Sequence, residues 1–209
     1  MFEVKKLFVF VFLATLVTAS ADPEGEIRKA FEGYKTAVKE GDYDHFVKFS
    51  GQPMVDHIKT IKQNALTQKK EDLMKESYMS LFMTLQLRVL FTTDELKQAS
   101  PVDIIRKTME ENPVGKEAIL KQGIGDITID GNKAEAAILY NGKPLTGMKL
   151  YFVKEGSGMW IQDTAKAFLE ANKAVDGQKF DEKTLLMMMK MSLKKHEAKI
   201  TSQVFEPLL

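Results

Sequence analysis

An α+β fold is predicted by three features of this sequence. Apolar residues recur at three-and-four spacing in successive stretches between residues 24 and 111, the period of amphipathic helices. Between Gly123 and Asp163 the spacing changes to alternation, broken by Asp130-Gly131, Asn141-Gly142 and Gly156-Ser157-Gly158, as in an antiparallel meander. Helical spacing returns from Asp181 onward. Helices followed by a run of strands and a closing helix make an α+β arrangement, not an alternating α/β one.

The elements are justified in chain order. Lys5 and Lys6 precede an uncharged run from Leu7 to Ala19, which closes on Ala19-Ser20-Ala21. A charged start, a short apolar stretch and small residues before a polar chain are the pattern of a secretory signal peptide, with cleavage expected after Ala21. The run falls short of the roughly 20 apolar residues a spanning helix needs. No Cys follows it, which excludes a lipoprotein anchor. The expected product is exported, periplasmic or secreted.

Residues 24–40 place Ile27, Ala30, Phe31, Tyr34 and Val38 on one helical stripe, and Glu40-Gly41-Asp42 ends it. Asp42 is a suitable N-cap for a second, short helix carrying Phe46, Val47 and Phe49, which Ser50-Gly51-Gln52-Pro53 closes. A polar connector including Lys69-Lys70-Glu71-Asp72 then leads to a helix over about 71–91, so broadly apolar that cover on more than one side is expected. Ser100-Pro101 with Asp103 starts another helix, and Asn112-Pro113 interrupts it. The meander has expected strands at 123–130, 134–140, 148–154 and 159–163, and residues 165–175 are helical again. Asp181 and Glu182 open the last helix, Lys194, Lys195, His196 and Lys199 lie toward its end, and Leu185, Met189, Leu193 and Ile200 form its stripe. The expected organisation is a signal peptide at 1–21, a domain at 22–180 and a C-terminal amphipathic helix at 181–209.

The 30 Lys and Arg and 29 Asp and Glu fall to 28 of each once Lys5, Lys6 and Glu3 are removed with the leader. A chain without net charge lacks the basic surface that general nucleic-acid binding or a polybasic membrane patch requires. Membrane contact is therefore expected only through the signal peptide. The chain has no cysteine, which excludes disulfides, thiol catalysis, Cys-based zinc sites and iron–sulfur clusters.

Two stretches carry a family resemblance. Ala37-Val38-Lys39-Glu40-Gly41-Asp42-Tyr43-Asp44-His45-Phe46 resembles the first helix-turn-helix of the NTF2-like superfamily, and Gly158-Met159-Trp160-Ile161-Gln162-Asp163 resembles its last strand. The likeness spans about residues 24–165, with the helix from Asp181 as an addition. It implies a cone in which a curved antiparallel sheet wraps around a long helix. That superfamily includes isomerases, dehydratases, cyclases, ligand carriers and non-catalytic partner-binding domains, so the fold alone selects no function. Its enzymes hold a carboxylate or a His–Asp pair inside the cone; the motif match assigns neither to a residue here.

His45, His57 and His196 have no ligand spacing, so neither metal nor cofactor is expected. Asp44 and His45, adjacent on a helix, point apart and make a poor catalytic pair. Asp163 suits a general base if buried in an apolar cavity, but a cap for the following helix is the preferred reading. Tyr34, Tyr151 and Trp160 are candidates for stacking a small apolar ligand, against a core role that aromatics fill more often. Met187, Met188 and Met189 fan around a helix and cannot converge on Cu(I), so adaptable packing is preferred. Leu185, Met188 and Met191 are the candidate partner surface, for a second copy of the chain or another protein. The expected function is an exported non-catalytic binding or assembly domain, using an apolar cone cavity or the outer sheet face. The alternative is a small cofactor-independent enzyme of isomerase or cyclase type with a buried carboxylate in the cone.

Overall fold

A computed structural model describes residues 22–174 and 180–209. The signal-peptide expectation falls outside those residues. The fold is α+β, mostly helical, with a curled four-stranded antiparallel sheet and C-terminal helices. Helices α1 (Pro23–Glu40), α2 (Tyr43–Thr67), α3 (Lys70–Leu73), α4 (Tyr78–Leu90), α5 (Thr93–Gln98), α6 (Pro101–Glu111) and α7 (Pro113–Leu120) precede strands β1 (Gln122–Asp130), β2 (Lys133–Tyr140), β3 (Lys143–Lys154) and β4 (Trp160–Gln162). Helices α8 (Thr164–Ala174) and α9 (Glu182–Ser192) and two 3₁₀ turns, Lys194–Lys199 and Ser202–Phe205, complete it. Among the described residues no helix is long and apolar enough to cross a membrane.

The sheet is a simple meander, β1-β2-β3-β4. Asn141 and Gly142 both adopt positive φ, 50° and 76°, as the tight turn between β2 and β3 requires. Register slips between Ile124 and Ile127 and between Ala137 and Leu139; such irregularities increase local twist and help the sheet curl. One face carries Ala134, Ala136, Ile138, Leu150, Phe152 and Trp160, and it packs on Ile27, Ala30 and Phe31 of α1. Tyr34, Ala37 and Val38, farther along α1, belong instead to the larger core of the helical body. Helix α1 is thus the seam between sheet and body.

Several expectations change. Ser50-Gly51-Gln52-Pro53 does end one helical segment, but a second begins at once and runs to Thr67, where a polar connector was expected. Its buried stripe is Met54, Ile58, Ile61 and Ala65, a helical period diluted by the polar residues between. The expected 71–91 helix is two: α3 stops at Leu73, and Ser77 caps α4 by accepting from the Ser80 amide. Helix α4 is central as expected, with every residue from Thr84 to Leu90 buried. The short helices α5 and α7 were not anticipated. The last helix ends at Ser192, and the chain continues in 3₁₀ turns.

The C-terminal segment is not a separate layer. Leu185, Met189, Leu193, Ile200 and Phe205 are all within 2% of full burial, in the same core as α2 and α4. Arg88 of α4 ties the segment down. Its buried guanidinium donates to the carbonyls of Asn64, Ala65 and Gln68 at the end of α2, and to those of Val204 and Phe205. A cation there meets the negative end of the α2 dipole. Burial pulls the Arg88 pKa down to about 10, with Glu206 acting in the opposite direction, so the side chain stays charged at neutral pH.

Candidate functional site

An open concavity lies along the outer flank of α1 and reaches the sheet at β4. On α1 the residues Ala30, Gly33 and Ala37 are small, so the helix surface is hollow there. The start of α2 contributes Phe49, whose ring packs so closely on Gly33 that a Cβ would overlap it. The turn between β3 and β4 supplies Met159 and Trp160. The result is an open groove of about 770 Å³ with an apolar floor. Its rim is charged and mostly acidic, with Glu26, Glu32, Glu40 and Asp42 against Lys29.

Trp160 is 2% exposed, and its indole N–H has no hydrogen-bond partner. The Lys154 ammonium stands 5.7 Å from the ring centroid and also reaches Glu26 at 3.3 Å. Asp42 and His45 occupy the far end of the groove. Asp42 caps α2 by accepting from the His45 amide at 3.1 Å, and its other carboxylate oxygen meets His45 Nδ1 at 2.6 Å. An ionised carboxylate only accepts, so Nδ1 carries the proton in this contact. The His45 backbone N–H, then its ring, hold the Asp42 carboxyl below the ordinary range. The structure brings Asp42 and His45 into contact, not the adjacent Asp44 and His45. An Asp N-cap with a polar residue three positions later was the available signal, since capping brings those two side chains together.

No family model, curated protein or solved structure matches this chain.

The four residues named for ligand stacking or base chemistry do not share one cavity. Trp160 is the one that lines the groove. Tyr34 turns into the helical core, 4.9 Å from the Phe46 ring, and burial pushes its phenol pKa up. Tyr151 alternates with Phe152 and so projects from the opposite face of the sheet, where the Lys166 ammonium covers its ring at 4.2 Å. Asp163 accepts from the Lys166 amide at 2.9 Å and caps α8, which is the preferred reading of the sequence. Among the described residues the fully buried polar side chains are Ser50, Thr84, Gln86, Arg88, Gln162 and Thr164, with no carboxylate in the set. The space between α1 and the sheet is filled by Ile27, Phe31 and Phe152.

The candidate partner surface divides in the same way. Leu185 is fully buried in the chain's own core, so it is out of reach of a partner. Met188 is half-buried, and its sulfur accepts from the Tyr78 hydroxyl at 3.6 Å. Met191 is 63% exposed, beside Met187 at 56%. Helix α9 therefore docks Leu185 and Met189 on the body, holds Met188 at the margin, and leaves Met187 and Met191 facing solvent.

Proposed function

We propose that this chain is an exported, non-catalytic binding domain, with the groove along α1 as its binding surface. The observation that carries the reading is where the open space lies. The inside of the sheet is packed with the chain's own Ile27, Phe31 and Phe152, while an apolar-floored groove of about 770 Å³ stands open beside it. Ligand sites are concave and mostly apolar, with a few polar groups. The groove fits that description, with Phe49 as an apolar surface, the buried Trp160 behind it, and Asp42, His45 and Lys29 as polar groups. The resemblance to the NTF2-like superfamily, which includes ligand carriers, points the same way.

Trp160 is the only tryptophan in the chain, and it lies between the groove and the sheet core, so its emission reports on that region. Protein purified natively from its own compartment should carry a bound molecule or partner, visible by native mass spectrometry. Stripping it should shift Trp160 emission. Thr36→Phe, which narrows the groove from an exposed α1 position, should abolish retention without altering the fold. Protein that carries nothing, and whose emission is unchanged by stripping or by Thr36→Phe, would count against this reading.

One observation favours a second reading, an acid–base enzyme. Asp42 orients the His45 ring beside an apolar floor, as a general base needs. Such an enzyme would exchange the carbon-bound α-hydrogens of a small ketone with deuterated water, and His45→Gln would abolish the exchange. Equal exchange by both proteins would remove the enzyme reading.

A further inference from the structure

The helical body holds a second space, of about 90 Å³ and partly open to the surface, between α2, α4, α6 and α8. Its deep wall is apolar and buried, with Phe46, Met54, Ile58 and Ile104. Two side chains break the pattern. Gln86 is 3% exposed, and its Nε2 has no hydrogen-bond partner; Thr108 Oγ1 is buried and equally unpartnered. Both line this cavity. Gln86 sits between Leu85 and Leu87 on the broadly apolar α4, where another aliphatic residue would fill the space at no polar cost. Buried donors are nearly always spent on a partner, so two of them on one cavity call for an acceptor inside it.

We infer that this cavity is a binding site for a small neutral molecule with a short aliphatic body and one carbonyl or hydroxyl oxygen. Gln86 Nε2 and Thr108 Oγ1 both donate to that oxygen. No charged side chain lines the space, and an unpaired ion would be expelled from it by desolvation. A cavity of 150 Å³ accommodates benzene, so the present one suits about four heavy atoms. Buried water typically makes about three hydrogen bonds, and a wall with two polar groups suits a carbonyl better. Met83, Met109 and Phe168 are half-buried parts of the lining; unbranched thioether side chains yield easily, which supplies a way in. The site is separate from the α1 groove and is read by different residues.

The test uses the full chain with ¹³C-labelled methionine methyl groups. Met54, Met83 and Met109 line the cavity, whereas Met187 and Met191 are exposed and report nonspecific binding. Titration with acetone should give saturable shifts and ligand contacts at the first three methyls and none at the other two. The isosteric hydrocarbon 2-methylpropene lacks the oxygen. Gln86→Leu should weaken acetone about 5–10-fold relative to the hydrocarbon, as expected for one lost neutral hydrogen bond. Thr108→Val should act in the same direction and serves if Gln86→Leu does not fold. Absence of shifts at Met54, Met83 and Met109, equal shifts at Met187 and Met191, or an unchanged ketone-to-hydrocarbon ratio in the folded variants would overturn the proposal. So would water contacts to those methyls that persist at ketone saturation, which would make the cavity a hydration site.

Discussion

Gly51 holds φ at 69° and ψ at 178° inside α2, a combination open in practice only to glycine. A Cβ there would also collide with Ile161 Cδ1 of β4, so the kink and the strand fit each other. Gly51→Ala should therefore cost about 3 kcal/mol or more, backbone strain plus overpacking, read from the urea midpoint. Ile161→Val should recover part of that loss, because it relieves the collision and not the dihedral strain. His57 carries the pH dependence that is easiest to isolate. It packs on Phe168, its Nε2 is buried without a partner, and burial pulls its pKa below the ordinary 6.5. In the window below 6.5 the unfolded chain binds more protons than the folded one, so stability rises with pH there. Wild-type protein should lose stability as pH falls from about 6.5, and His57→Phe should lose less over the same range. Parallel curves for the two proteins would show that His57 plays no part.

At the scale of elements, the C-terminal segment is the piece whose role changed most between sequence and structure. Its periodicity suggested an extension laid on a finished domain. In the folded chain Leu185, Met189, Leu193, Ile200 and Phe205 complete the core. The last residues also bond to α2, with the Leu208 and Leu209 amides donating to the Ala65 and Leu66 carbonyls. Burying each such Leu, Ile or Met contributes about 1.5–3 kcal/mol, and a domain has only about 5–15 kcal/mol in total. Deleting residues 181–209 should thus leave a chain without a cooperative thermal transition that binds a hydrophobic dye. A truncated protein melting cooperatively near the parent temperature would show that the body is complete without it.

For the whole molecule, the division of α1 between two cores is the main mechanical fact. Ile27 and Phe31 serve the sheet, while Tyr34 and Val38 serve the helical body. Only part of the sheet is covered on its other face: the distal end of β3, residues 143–149, is exposed. The sheet should therefore depend on α1 more than the body does. Phe31→Ala should cost about 3–5 kcal/mol and speed hydrogen exchange at β1 and β2 amides before those of α2 and α4. Uniform acceleration across all four elements would indicate a single cooperative unit.

The sequence by itself determined which segments become strands, because alternation and Gly-containing turns are local signals that every residue of the meander repeats. It also determined the first helix, the caps at Asp42, Ser100 and Asp181, and the buried stripe of the last helix, all set by neighbours three or four positions away. The helical stretch 54–67 escaped detection because its apolar stripe is interleaved with polar residues and preceded by Gly51 and Pro53. Only the tertiary structure decided the sites. Trp160, Gly33 and Phe49 line one groove from three elements, and Tyr34 and Tyr151 were turned elsewhere by helix rotation and by the parity of β3. The cavity beside Gln86 and Thr108 exists because four helices fail to close on one another. Side-chain periodicity states which face is buried, but what that face meets is set by long-range packing, and no local spacing encodes it.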